Sequence, residues 1–147
     1  LGSDVILGLT NDYQVLTSKN QTKKFKNCKK LYTLVVKPYF GCSTKAIYAD
    51  VRNYETAKFN VPRKKMFNRN FLKKMSNSLE KIVLVKHPIL KKIKIYLTNL
   101  YNPEFVRMTG SGSAFIAYYN SKKKCDKALR QFNKKYKKYW CISSKTI

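Results

Sequence analysis

Val106-Arg107-Met108-Thr109-Gly110-Ser111-Gly112-Ser113-Ala114-Phe115-Ile116-Ala117-Tyr118-Tyr119 is the stretch on which the fold of this chain turns. Val106 to Met108 is strand-like, and Ala114 to Tyr119 resumes the apolar and aromatic pattern of a second strand. Between them Thr109 to Ser113 contains only small residues, so the chain must turn there. Glycines that accept positive φ let successive backbone N–H groups converge on an anion, while the same residues also build an ordinary turn. Taken alone, the segment leaves both readings open.

Outward from this unit the periodicity switches to that of helices. Upstream, Phe71, Leu72, Met75, Leu79, Ile82 and Val83 form an apolar stripe at helical spacing that pauses near Ser76, where Asn77 and Glu80 have the spacing of a capping box. Pro88 suits a first helical position, and Ile89, Leu90, Ile93, Leu97 and Leu100 continue a second helix. Downstream, Cys125, Ala128, Leu129, Phe132 and Tyr136 mark a third, and Tyr139 to Ile142 a closing strand. Near the start, Tyr13–Thr17 and Leu31–Val36 read as strands, with the polar, basic Lys19–Lys30 between them as a hairpin loop or a crossing between domains. Ser43-Thr44 offers an N-cap for a short helix through Ala46, Ile47 and Tyr48. Asn53 to Arg69, broken by Pro62, reads as a surface connection on which Tyr54 and Phe59 can pack down. Strands mixed with helices, without a regular βαβ repeat, predict an α+β domain with an antiparallel sheet under a helical layer, nearest to the ferredoxin-like layout.

The chain has 147 residues, of which 44% are apolar, enough for a real core. No run of about 18 uncharged apolar residues occurs, which excludes a membrane-spanning helix from the sequence pattern. Lys and Arg number 32 against 7 Asp and Glu, a net charge of +25. Such an excess ordinarily suggests nucleic acid or an anionic membrane as a partner. Here it is almost all Lys in a chain equally rich in Asn, Ile, Tyr and Phe, and runs such as Lys122–Lys124 fall within helical patterns, as a solvated face does. Cys28, Cys42, Cys125 and Cys141 form no Cys-x-x-Cys pair and have no neighbouring His, so free, mostly buried thiols are expected. His87, the single histidine, precedes Pro88 and suits a loop or cap.

Arg107 to Phe115 resembles the third motif of the GHMP kinases, in the form found in 4-diphosphocytidyl-2-C-methyl-D-erythritol kinases. The resemblance runs in order through Leu1-Gly2-Ser3-Asp4-Val5, Val36-Lys37-Pro38 with Ser43-Thr44 and Ile47-Tyr48, Asn77-Ser78-Leu79-Glu80, Pro88, the glycine loop and Trp140. It covers only the second half of such a kinase. It implies an end of the N-terminal kinase domain at 1–27, followed by a ferredoxin-like C-terminal domain at 28–147.

The resemblance also implies roles. Asp4 matches the aspartate taken as general base toward the acceptor hydroxyl. Gly110, Ser111 and Gly112 match the loop beside the triphosphate and substrate, and Tyr48 an aromatic position of the cytosine pocket, against which core packing stands as the plain alternative. Ser113 is left without a role. The implied activity is transfer of the γ-phosphate of ATP, with Mg²⁺, to a small-molecule alcohol in non-mevalonate isoprenoid synthesis, in a bacterial cytoplasm or a plastid. The family's Gly-rich ATP loop and N-terminal lysine do not occur in the sequence, so the chain is expected to continue upstream and to be inactive alone. Three other readings stay open: a different GHMP kinase such as a mevalonate or homoserine kinase, a degenerate half-kinase, and a basic nucleic-acid-binding module suggested by the charge and by aromatics among lysines at Tyr136–Trp140.

Overall fold

In a computed structural model of the chain, residues 6–7, 9–19, 21–53 and 61–146 are described. The elements run β1 (Tyr13–Leu16), β2 (Thr22–Phe25), β3 (Tyr32–Lys37), α1 (Thr44–Ala49), a 3-10 turn (Lys64–Phe67), α2 (Arg69–Lys74), α3 (Glu80–Lys86), α4 (Pro88–Thr98), β4 (Phe105–Met108), β5 (Phe115–Tyr119), α5 (Lys122–Lys135) and β6 (Trp140–Lys145). They divide into two compact units, one drawing on Leu1–Lys30 and Asn53–Lys74, the other on Leu31–Arg52 and Met75–Thr146. Among the described residues no helix is long and apolar enough to cross a membrane.

In the first unit β1 and β2 pair antiparallel, from Tyr13 opposite Phe25 to Leu16 opposite Thr22. The Thr17 N–H donates to the Gln21 carbonyl at 2.9 Å and closes the connection. This corrects the reading of Lys19–Lys30 as loop throughout: Thr22–Phe25 is a strand whose two lysines are exposed while Thr22 and Phe25 are half-buried. Phe67 of the 3-10 turn packs its ring on Tyr13 at 5.2 Å and Phe25 at 5.5 Å, so three aromatics anchor the hairpin. Tyr54 and Phe59 lie outside the described residues.

The second unit holds a four-stranded antiparallel sheet in the order β4-β5-β3-β6. With helices between β3 and β4 and between β5 and β6, this is the βαββαβ ferredoxin-like arrangement predicted from the pattern. Alternation along each strand selects the buried face. Leu34 and Val36 of β3 stand opposite Ala117 and Phe115 of β5, and all four are fully buried. Onto this face α3 brings Val83, α4 brings Leu90, Ile93 and Leu97, and α5 brings Cys125, Ala128 and Phe132. The Val, Leu, Ile and Phe side chains among these each contribute about 1.5–3 kcal/mol when taken out of water. Pro88 sits at the start of α4, where its missing N–H costs nothing.

The helical stripe does break where the sequence pauses, with α2 ending at Lys74 and α3 beginning at Glu80. The capping box does not form: Asn77 Oδ1 accepts from the Leu79 N–H at 3.0 Å, while the Glu80 carboxylate leaves the helix end for β4. The thiols are free, yet Cys125 alone is buried, with Cys28, Cys42 and Cys141 half-buried.

Candidate functional site

The glycine loop joins β4 to β5 and lies within the second unit. Gly110 has φ +53° and Gly112 φ +84°, both in the left-handed region where a side chain is strained. The Thr109 N–H donates to the Ala114 carbonyl and the Gly112 N–H to the Thr109 carbonyl, each at 3.0 Å, which makes the loop a closed turn. A Cβ on Gly112 would sit 2.9 Å from Met108 Sδ and 3.4 Å from both Cys42 Sγ and Val83 Cγ1, whereas one on Gly110 would meet open space. One glycine therefore packs inward and the other faces outward. The N–H groups of Gly110 and Ser111 have no hydrogen-bond partner among the described residues.

Side-chain hydrogen bonds fix this loop and the strand that enters it to their surroundings. Ser113 is buried and its hydroxyl donates to the Phe40 carbonyl at 2.5 Å, which gives Ser113 a structural part. The Ser111 and Thr44 hydroxyls lie 2.8 Å apart, tying the loop to the start of α1. Asn77 Nδ2 donates to the Met108 carbonyl at 3.0 Å and the Gly110 carbonyl at 2.8 Å. Glu80 accepts the Met108 N–H at 2.8 Å with one oxygen and pairs with Lys94 through the other. Arg107 Nη2 donates to the Met75 carbonyl at 2.5 Å, and its guanidinium lies 4.9 Å from the Phe105 ring centre. Burial lowers the Arg107 pKa and raises that of Tyr118 beside it, each opposed by the other's charge.

α1 brings Tyr48 to the same unit. Ser43 caps the helix, its Oγ accepting from the Ala46 N–H at 3.3 Å, as the sequence predicts. Lys86 holds the other end, donating to the Ala46 carbonyl at 3.3 Å and pairing with Asp50 at 2.5 Å. Ile47 takes the core position, while Tyr48 is 53% exposed. Asp4 lies outside the described residues. Thr44, Asn77 and Glu80 entered the sequence reading as capping signals and within the stretches that carry the resemblance, without a role at the site, and Lys94 not at all. No group of three His, Cys, Asp or Glu able to hold a metal occurs among the described residues.

Comparison with known proteins agrees with this architecture. Over its whole length the chain is 51% identical to the 4-diphosphocytidyl-2-C-methyl-D-erythritol kinase of Pelagibacter ubique (strain HTCC1062), covering 52% of that protein. The solved 4-(cytidine 5'-diphospho)-2C-methyl-D-erythritol kinase superposes with a TM-score of 0.74 at 21% identity, covering 97% of this chain and 53% of that one. A homoserine kinase from Cytophaga hutchinsonii ATCC 33406 gives 0.67 at 12% identity, over 93% of this chain and 48% of that one. At such identities the structures show the fold. The chain spans about half the length of the curated relatives it matches. The family model for the C-terminal part of GHMP kinases matches residues 63–138 of the 147, and the chain belongs to that family.

Proposed function

We propose that the complete protein is an ATP-dependent kinase that phosphorylates the 2-hydroxyl of 4-diphosphocytidyl-2-C-methyl-D-erythritol in non-mevalonate isoprenoid biosynthesis, as a cytoplasmic bacterial enzyme. The observation that carries this reading is the 51% identity to the Pelagibacter ubique kinase along the entire chain. In this reading residues 1–27 end an N-terminal kinase domain and 28–147 form the C-terminal domain.

The chemistry asked of this chain's own residues is modest. Asp4 takes the proton of the acceptor hydroxyl as that hydroxyl's oxygen bonds to the γ-phosphorus, while the bond from the γ-phosphorus to the β–γ bridging oxygen breaks and ADP leaves. Gly110 and Ser111 offer N–H groups to phosphate oxygens, and the closed turn keeps them from reorganising as charge develops. Tyr48 stacks on the cytosine ring. Mg²⁺, held by carboxylate and phosphate oxygens, would neutralise charge on the phosphoryl group as it transfers.

The test is Asp4→Asn in the complete protein. The amide keeps the shape and loses the base, so kcat should fall by about 10²–10⁴ with little change in the KM for ATP. Undiminished turnover by Asp4→Asn would remove Asp4 from the chemistry.

A further inference from the structure

β4 is an edge strand, with β5 on one side only. The outward backbone groups of an edge strand lack a strand partner and must find another. Here both groups of Met108 are met by side chains from one short stretch: Glu80 takes its N–H and Asn77 its carbonyl, and Asn77 reaches on to the carbonyl of Gly110. The same Asn77 amide uses its oxygen to accept the Leu79 N–H, so its orientation is fixed at both ends. The entrance of the glycine loop is thus clamped to the start of α3 by three hydrogen bonds.

We infer that Asn77 and Glu80 are positioning residues for the glycine loop: Asn77 holds the carbonyls of Met108 and Gly110 and Glu80 holds the Met108 N–H, so that the Gly110 and Ser111 N–H groups are left for the ligand. The inference rests on the reading of that loop as ligand-facing. Lys94 completes the arrangement. A carboxylate beside an anion-binding loop would oppose an anion, and the Glu80 side chain is only 13% exposed, so its charge requires a partner; the Lys94 ammonium, on α4, supplies one. Asn77 binds the loop through a neutral amide, which adds no charge there.

Asn77→Asp separates the two jobs of the amide. It keeps an oxygen for the Leu79 N–H and loses both donors to the loop. Asn77→Ser adds no charge, keeps an oxygen for the Leu79 N–H and, with one O–H donor, can replace at most one of the two bonds to the loop; it serves if the aspartate variant does not fold. Glu80→Gln is the conservative control, since its amide oxygen still accepts the Met108 N–H. Amide hydrogen exchange is read on the full chain, with the core amides of α5 as reference. Losing two hydrogen bonds in Asn77→Asp, or at least one in Asn77→Ser, should speed exchange at Thr109 and Gly112 at least about tenfold, with α5 unchanged, while Glu80→Gln keeps most of the loop's protection. In the complete protein the same Asn77 variants should raise the KM for ATP or for 4-diphosphocytidyl-2-C-methyl-D-erythritol about tenfold, with kcat changed far less. Loop exchange that is unchanged, or that rises equally in α5, overturns the inference. Because exchange needs no ligand, the two readings fail separately: a loosened loop with both KM values unaltered overturns the ligand-facing reading on which the inference rests.

Discussion

Gly110 and Gly112 are two residues apart and answer to different constraints. Both have positive φ, but only Gly112 is packed against Met108, Cys42 and Val83. Gly110→Ala should therefore cost about 1 kcal/mol, the strain of a left-handed alanine alone. Gly112→Ala adds a clash with the buried Met108 side chain, for a total of about 2–4 kcal/mol; urea denaturation of the two variants measures the difference, and equal costs would contradict the packing. Cys125 offers a pH test. Burial first, then the neighbouring Asp126, push its thiol up from 9.0 to about 11, with Lys122 opposing. The fold favours the protonated form, so this contribution is fully present below pH 9 and is lost as pH rises through about 11. A pH series of denaturation curves should show a shallower alkaline decline for Cys125→Ala than for the parent, and parallel declines would exclude the thiol. At this scale the sequence showed the glycine loop, because small residues between two apolar runs have few other uses. It misled at Asn77 and Glu80: the spacing of a capping box is local, whereas an unpaired edge strand two elements away competes for the same side chains and wins.

Among the elements, α5 depends most visibly on one residue. Phe132 is fully buried, stacks on Tyr136 at 4.8 Å and tilts against Tyr96 of α4 at 6.1 Å, while Tyr136 meets Tyr96 edge-on at 5.3 Å. Lys135 lies over the Tyr96 ring at 4.2 Å and covers the cluster from outside. Phe132→Ala should cost about 3–5 kcal/mol, read as a lower denaturation midpoint with an unchanged slope; a loss under 1 kcal/mol would mean that the aromatic neighbours close the gap. The helices and central strands were legible because their apolar residues recur at three and four, or at two. β2 was not: in Thr22-Lys23-Lys24-Phe25 the only large apolar side chain is Phe25, and its partners Tyr13 and Phe67 are distant in sequence. Pairing with β1, not composition, makes it a strand.

At the scale of the molecule, the net charge of +25 has its plainest expression in exposed lysines along α5 and after it, and Lys122 is paired with Asp126 one turn away. The ferredoxin-like order of the sheet followed from counting elements, and the family from motifs in the right order along the whole chain. The proposed substrate rests on that resemblance, since the fold is shared with a homoserine kinase, a kinase of a different acceptor. Acceptor specificity is therefore where the account is most exposed. The measurement is transfer of labelled γ-phosphate from ATP by the complete protein, with 4-diphosphocytidyl-2-C-methyl-D-erythritol, homoserine and mevalonate offered separately. The account predicts that kcat/KM for the cytidine-bearing acceptor exceeds the others by at least about 10³, as expected when a site is built around groups the other acceptors lack; turnover of homoserine or mevalonate at comparable kcat/KM, or none of the cytidine-bearing acceptor, would contradict it.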